Sequence, residues 1–241
     1  MKMKKLAALF MAGALVLSLA ACGSSADSST DENTEANAGT KDQGDGVGEP
    51  QEENTTAAYD NLTVDAKNRE ISFEAVINGT YFTEPSRHAI VWEKGGNADK
   101  SMFRTSAYNV DFYDALESLG LSGDSNVSMD DMSAAAEDHV VNTGDALAYY
   151  IKWDGQDEIM LNEVIKGSED YDWDVVFAGN RDVAEETQAG CLLCMDSCAA
   201  GITVNALPVG TTGDGGLQFF LDEEKLPEDG STVTIIVRPA A

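Results

Sequence analysis

The sequence predicts an α+β domain made mainly of antiparallel β-sheet, with one firm helix and short helical insertions. A sandwich is one arrangement that such a sheet could adopt. Short segments with alternating polar and apolar residues dominate the chain after residue 57. Turn sequences such as Asn78-Gly79 and Asp154-Gly155 separate them. A single segment, Asn109 to Gly120, has clear helical periodicity. Residues 58–241 are therefore predicted to form one globular domain, which is long enough for a substantial core.

The first half of this domain is predicted to open with two strand pairs. Residues 71–77 alternate as a half-buried strand does, and Asn78-Gly79 is predicted to turn the chain into a hairpin with a partner around Tyr81-Phe82. Residues 88–92 have the composition of a buried strand, and residues 101–104 are predicted to be its return partner.

The predicted helix begins at Asn109, a favourable N-cap residue, and ends before Gly120. A polar insertion follows, with a short helix predicted over 133–139. Residues 147–153 and 159–161 are predicted to pair across the Asp154-Gly155 turn. The remaining predicted elements are one helical turn over 163–166 and strands over 170–177, 202–204, 217–221 and 232–237.

The N-terminal residues have the features of an export signal. Lys2, Lys4 and Lys5 precede an apolar run that is too short to span a membrane. The run ends in Leu19-Ala20-Ala21-Cys22-Gly23, which resembles the lipobox of bacterial lipoproteins, where the chain is cut before a cysteine that receives acyl chains such as palmitate. We therefore expect residues 1–21 to be a signal peptide and Cys22 to be lipidated. The chain would then be anchored in the cell membrane, facing the extracytoplasmic side.

Residues 22–57 are predicted to be a disordered acidic tether. From residue 23 they contain nine acids, one lysine and a single branched aliphatic residue, Val47, so they cannot bury enough apolar surface to fold. The predicted domain itself has 11 basic and 34 acidic residues. This excess of acid argues against nucleic acid as a partner and favours solubility as the role of the charge.

The segment from Gly190 to Gly201 contains three of the four cysteines. Cys191, Cys194 and Cys198 follow the spacing C-x2-C-x3-C. In one continuous helix, Cys191 and Cys198 would lie about 10 Å apart along the axis. That distance is too long for two ligands of one zinc ion. A metal site therefore predicts a turn or loop around Cys191–Cys194 and a segment that is at most partly helical.

Three states of these thiols are compatible with the sequence. Exported proteins usually oxidise their cysteines, and an odd count leaves one thiol free or able to exchange. Alternatively, the thiols ligate zinc or an iron–sulfur cluster, or they are buried and reduced. A bacterial ferredoxin site has the pattern C-x2-C-x2-C-x3-C-P, so this chain lacks one cysteine and has Ala199 in place of the proline.

A metal site would need another ligand, for which Asp196, His88 and His139 are the candidates. For His88, at the start of an apolar strand, a structural role is the simpler interpretation. His139 lies in the polar insertion, where an exposed side chain is expected.

Several stretches together resemble the YdjY-type domain family, over about Leu62 to Arg238. They are residues 68–79, 88–92, 112–116 and 178–180, and the Gly-Cys-x-x-Cys-x-x-x-Cys-x-x-Gly-Ile run itself. Members are sometimes described as ferredoxin-like, a description that rests on the cysteines. The resemblance implies no settled molecular activity.

We therefore expect a lipid-anchored extracytoplasmic binding or accessory module with a three-cysteine site. The alternative is a redox protein that uses Cys191, Cys194 and Cys198 for metal or iron–sulfur ligation or for thiol–disulfide exchange. A lipoprotein that captures a cation is a third hypothesis. The sequence shows no nucleophile elbow, and nothing in it supports an enzyme. The expected partners are the membrane, through the anchor, and a protein or small ligand that the sequence does not identify.

Overall fold

The computed structural model describes residues 58–133 and 140–241. The predicted signal peptide, Cys22, the acidic tether and His139 lie outside these ranges, as does all of the predicted insertion helix except Ser133. Among the described residues, none of the helices has the length and apolar character needed to cross a membrane.

The described residues form thirteen β-strands and two α-helices. The strands are β1 (Ala58–Tyr59), β2 (Leu62–Asp65), β3 (Glu70–Ile77), β4 (His88–Trp92), β5 (Ser101–Thr105), β6 (Ala146–Trp153), β7 (Gln156–Met160), β8 (Ile165–Gly167), β9 (Val175–Phe177), β10 (Cys191–Cys194), β11 (Thr203–Asn205), β12 (Phe219–Leu221) and β13 (Thr232–Pro239). The helices are α1 (Asn109–Ser118) and α2 (Arg181–Thr187), and short 3₁₀ helices lie at Gly79–Phe82, Ala98–Lys100 and Leu161–Val164.

Eight of the strands close into a mixed β-barrel. The order of pairing is β3, β13, β6, β9, β11, β10, β4 and β5, and β5 pairs with β3 again. The closing contact is short, with Val76 opposite Arg104 and Ile77 opposite Phe103. The predicted fold class, a mainly antiparallel and sandwich-like sheet with one firm helix, is therefore wrong: the sheet is closed and mixed, and it is accompanied by two α-helices.

The sheet contains both parallel and antiparallel strand pairs. The parallel pairs arise because two connections return to the end of the sheet at which the preceding strand began. After β4 the chain returns through residues 93–100, so that His88 lies opposite Ser101 and β5 runs parallel to β4. Residues 101–104 are thus a neighbour of β4 but not its antiparallel return partner. After β10 the chain also crosses back, and β11 runs parallel to β10.

The core lies inside the barrel and beneath α1. Ile71, Phe73, Ala75 and Ile77 are all buried, which confirms the alternation predicted for β3. Phe112 of α1 is fully buried and packs edge-on against Phe73, with ring centroids 5.7 Å apart. These contacts seat α1 on the sheet through the apolar stripe predicted for it.

Several local predictions need correction. Tyr81-Phe82 is not a hairpin strand, because the Asn78 side chain accepts a hydrogen bond from the backbone N–H of Thr80 and caps a 3₁₀ helix instead. The backbone N-cap of α1 is Tyr108, one residue before the predicted Asn109. Only Val175–Phe177 of the strand predicted over 170–177 is extended and paired. Strand β12 pairs with β8 in a separate two-stranded sheet and does not join the barrel.

Candidate metal centre

The cysteine segment begins as a strand of the barrel, and it is not helical. Strand β10 lies between β4 and β11, and its pairing with β4 shifts register twice, between Cys191 and Leu193 and between Leu193 and Cys194. In a regular strand, residues three apart face opposite sides of the sheet. Because bulges redirect side chains, Cys191 and Cys194 point to a common place. His88, opposite Cys194 in the register, points there too.

The three side chains form a compact group of metal-ligand atoms. One ligand atom each from His88, Cys191 and Cys194 lies within 4.8 Å of the other two. The Sγ atom of Cys191 is 3.6 Å from Nδ1 of His88. Both thiols are buried and the imidazole is half-buried. The position of His88 at the start of an apolar strand favours a structural role, yet among the described residues the fold brings His88 to the cysteines.

The distance between Cys191 and His88 matches that between two ligands of one tetrahedral ion. With zinc–sulfur bonds of about 2.3 Å and zinc–nitrogen bonds of about 2.05 Å, ligand atoms lie about 3.6 to 3.8 Å apart. The Cys191–His88 separation of 3.6 Å, which is that of a hydrogen bond between the two atoms, also lets both atoms bind a single ion. In a [4Fe–4S] cluster each iron has one cysteine ligand, so the ligand sulfurs are spaced more widely, whereas each iron of a [2Fe–2S] cluster has two protein ligands.

The Cys194 thiol interacts with both of the other cysteines. Its hydrogen bond to Cys191 lowers the pKa of Cys191 well below its ordinary value, and the contacts with His88 and Asn97 act in the same direction. The same hydrogen bonds, to Cys191 and Cys198, raise the pKa of Cys194. These contacts favour the proton on Cys194 over Cys191.

Cys198 lies beside this group and outside it. Its thiol contacts Cys194, and it is the only one of the three cysteines in the described part of the chain that is partly exposed. Its backbone is fixed on both sides: the N–H donates to Oδ1 of Asn142 at 2.9 Å, and Nδ2 of Asn180 donates to the carbonyl at 2.9 Å. Cys198 is therefore held within reach of Cys194 but not within the set formed with His88.

Asp196, predicted as a weaker ligand, is engaged elsewhere. Its fully buried carboxylate accepts hydrogen bonds from the Thr212 hydroxyl at 2.6 Å and the Thr212 N–H at 3.2 Å. Its Oδ1 lies 2.8 Å from Nη2 of Arg87. The second contact is one of charge without hydrogen-bond alignment, because neither atom has a hydrogen-bond partner among the described residues. The carboxylate thus neutralises Arg87 and does not join the ligand group.

Two neighbours of the site were not predicted. Nδ2 of Asn97 donates to Sγ of Cys191 at 3.6 Å. Arg87 precedes His88, and its pKa is raised because the charges of Asp196 and the three cysteines outweigh the burial that opposes them. Asn97 lies in the Gly95-Gly96-Asn97 turn, which the sequence marks only as a turn. Neither residue carries a local signal, because each flanks β4, which lies far from the cysteines in the sequence and meets them only in the fold.

Steric crowding explains why a glycine precedes the first cysteine of the site. Gly190 has φ +78°, and a Cβ atom there would lie 2.6 Å from the Cα of Gly95. The two backbones meet where the carbonyl of Gly190 accepts from the Trp92 N–H at 2.8 Å. This close approach positions Cys191 beside β4 and Asn97.

The comparisons with known proteins agree on one family. The model of the YdjY domain matches residues 62–238. The chain is 34% identical over 201 residues to the Uncharacterized protein YdjY of Escherichia coli (strain K12), which covers 79% of this chain and 87% of that relative. No solved structure matches. The match spans the chain from β2 to nearly the end of β13, together with every residue of the candidate centre, and confirms the resemblance predicted over Leu62 to Arg238. The chain therefore belongs to the YdjY domain family.

Proposed function

We propose that this domain binds one thiophilic divalent ion, zinc being the leading candidate, through His88, Cys191 and Cys194. The observation that carries the proposal is the separation of 3.6 Å between Sγ of Cys191 and Nδ1 of His88, within a group whose atoms are no more than 4.8 Å apart. Two thiolates and one imidazole are a familiar ligand set for zinc. Two thiolates would also balance the charge of a divalent ion in a buried place.

The residues around His88, Cys191 and Cys194 support metal binding by these three side chains over a purely structural role. Asn97 donates to the Cys191 sulfur, as outer residues of metal sites commonly do. Arg87 and Asp196 hold the first residues after Cys194 against the start of β4, which carries His88. Since Cys198 lies outside the group, three protein ligands leave a fourth position for water or a small ligand, an arrangement found where zinc acts on or holds another molecule.

We also propose that the domain works as a lipid-anchored accessory module on the extracytoplasmic side of the membrane. This proposal rests on the sequence of residues 1–22 alone. It predicts that the mature chain begins at an acylated Cys22 and fractionates with membranes. In a Cys22→Ala variant the acyl mass should be absent by mass spectrometry, and an unchanged acyl mass would contradict the proposal.

Metal content is the decisive measurement for the centre. The full chain, purified anaerobically under reducing conditions and supplied with zinc, should hold one zinc per chain by elemental analysis. The variants His88→Ala, Cys191→Ser and Cys194→Ser should each lose the ion. Cys198→Ser is the matched control, because it makes the same chemical change one loop away from the ligand group, and it should retain zinc.

Cobalt provides a second readout of the ligand set. Co²⁺ bound in place of zinc should show charge-transfer absorption from two thiolates, unchanged in Cys198→Ser and absent in Cys191→Ser, which should not hold the ion. A chain that takes up no zinc when reduced would overturn the proposal. So would several irons with inorganic sulfide per chain, which would show an iron–sulfur cluster in place of a single ion.

A further inference from the structure

We infer that the proposed metal centre is controlled by oxidation: Cys194 forms a disulfide with Cys198, and the ion is released. The inference rests on the proposed function and adds its regulation. It follows from the position of one sulfur atom, that of Cys194, between the other two.

Cys194 is the thiol that any disulfide within this trio must use. Its sulfur lies within 4.8 Å of that of Cys191, and Cys198 packs against the buried cluster to which Cys194 belongs. The three cysteines do not all lie within 4.8 Å of one another, because the close group of ligand atoms contains Cys191 and Cys194 without Cys198. Because Cys194 also belongs to the ligand group, its sulfur can bind either the metal or another sulfur. Metal binding and oxidation therefore exclude one another.

The backbone favours Cys198 over Cys191 as the partner. Cys191 and Cys194 are at the two ends of β10, where three residues of extended chain span up to about 10 Å. Two cysteines with Cα atoms more than about 7 Å apart cannot be bridged without moving the backbone. Such a movement is opposed here because β10 is paired with β4 and β11. Cys198 lies beyond the strand, after the chain bends at Met195 and Asp196, so its approach to Cys194 leaves these pairings intact.

Exposure makes Cys198 the entry point for an oxidant. Cys191 and Cys194 are buried, whereas Cys198 is partly exposed. A small external disulfide can therefore reach Cys198 first. The Cys198 thiol gives up its proton to solvent and attacks one sulfur of that disulfide. This forms a mixed disulfide and expels one external thiolate.

The second step uses Cys194. Its sulfur, a metal-bound thiolate, attacks the Cys198 sulfur, expels the second external thiolate and loses its bond to the ion. In total, the two protein sulfurs lose two electrons to one external disulfide. The two thiolates released from it take up the Cys198 proton and one further proton from solvent. The ion keeps only His88 and Cys191 as protein ligands and passes to any competing chelator.

The test uses the zinc-loaded full chain with oxidised glutathione as the disulfide and a chromogenic zinc chelator in solution. One zinc should be released for each protein disulfide formed. Differential alkylation and peptide mass spectrometry should then find Cys194 linked to Cys198 and Cys191 free. In Cys198→Ser, which should still bind zinc, release should be at least tenfold slower. Addition of a dithiol reductant and zinc should restore the loaded wild-type protein.

The outcomes separate this inference from the proposed function. Zinc content is measured on the reduced protein before oxidant is added, and a reduced chain without zinc overturns the proposed function and the inference with it. A chain that holds zinc overturns only the inference if the link joins Cys191 to Cys194, if zinc stays bound beside a Cys194–Cys198 disulfide, or if Cys198→Ser releases zinc as fast as the wild type.

Discussion

At the scale of single residues, Asp196 shows how the fold, and not the residue type alone, sets what a carboxylate contacts. A carboxylate between two cysteines is a reasonable metal ligand by sequence, but here the acid is fully buried and faces Arg87 and Thr212. Arg87 has buried nitrogens without hydrogen-bond partners among the described residues. The negative charge of Asp196 is therefore what makes the buried guanidinium tolerable.

Replacing that charge should destabilise the domain. Asp196→Asn keeps an acceptor for Thr212 and removes the charge opposite Arg87, and we expect a loss of about 2 kcal/mol in the free energy of unfolding. This is below the usual ~3–5 kcal/mol for breaking a buried pair, because 30% of the Arg87 side chain is exposed. Urea unfolding of the metal-free protein measures the loss. The control Thr212→Val removes one hydrogen bond and should cost about 1 kcal/mol. A larger loss in Thr212→Val than in Asp196→Asn would contradict this account.

A second residue-scale prediction concerns pH. Arg238 on β13 donates to both carboxylate oxygens of Glu158, at 2.5 and 2.9 Å, and also pairs with Glu70. The hydrogen bond from Arg238 lowers the pKa of Glu158 from 4.5. A carboxyl whose pKa is lower in the folded state adds stability above its unfolded pKa, and this stability is lost as the pH falls through the folded value.

Glu158→Gln should therefore cost less than about 1 kcal/mol at pH 7, since both side chains are 31% exposed. It should also make stability fall less steeply as the medium is acidified below about pH 5. Chemical unfolding at a series of pH values checks both effects. Glu223→Gln is the control: Glu223 is exposed and makes no hydrogen bond or ion pair within the described ranges, so its replacement should leave the slope unchanged. Equal slopes for wild type and Glu158→Gln would refute the role given to Arg238.

At the scale of elements, the sequence predicted which segments extend but not how β10 is bent. The run Cys191-Leu192-Leu193-Cys194 is buried throughout, so it lacks the alternation that identifies a strand. Its two register shifts depend on β4, about a hundred residues earlier in the chain. The sequence could therefore predict three neighbouring thiols and exclude a continuous helix. It could not predict that His88 would meet Cys191, because that contact depends on a non-local pairing.

The glycine before β10 provides a test at this scale. Gly190→Ala should destabilise the domain by more than about 2 kcal/mol, because the new Cβ meets the Gly95 backbone at 2.6 Å and φ is positive. Gly155→Ala is matched to it: φ is +80° and no atom lies within 4 Å, so only the backbone cost of about 1 kcal/mol applies. Zinc affinity, measured by competition with a chelator, should fall in Gly190→Ala and stay unchanged in Gly155→Ala. Similar losses of stability in the two variants would show that the close approach to Gly95 is not a constraint.

At the scale of the whole molecule, closure of the barrel is the feature that the sequence did not reveal. The segments β3, β4, β6 and β13 could be recognised from local patterns, since each alternates or is continuously apolar. Closure depends on two residue pairs between β3 and β5 and on the parallel course of β5 beside β4. A strand after a turn is by default expected to return antiparallel, and the crossover through residues 93–100 has no sequence signal that overrides this expectation.

The closed sheet gives metal binding a consequence for global stability. The proposed ligands come from β4 and β10, adjacent strands in the ring, so an ion that joins them binds the folded chain and not the unfolded one. Zinc at about 100 times its dissociation constant should add about 2.7 kcal/mol, which for a domain of this size raises Tm by about 5 to 10 °C. Calorimetry of the reduced full chain, with zinc and then with excess chelator, measures the difference. Cys198→Ser should show the same rise and His88→Ala none, because only the second variant removes a ligand on β4. An equal rise in His88→Ala would mean that zinc stabilises the molecule from somewhere other than the junction of β4 and β10.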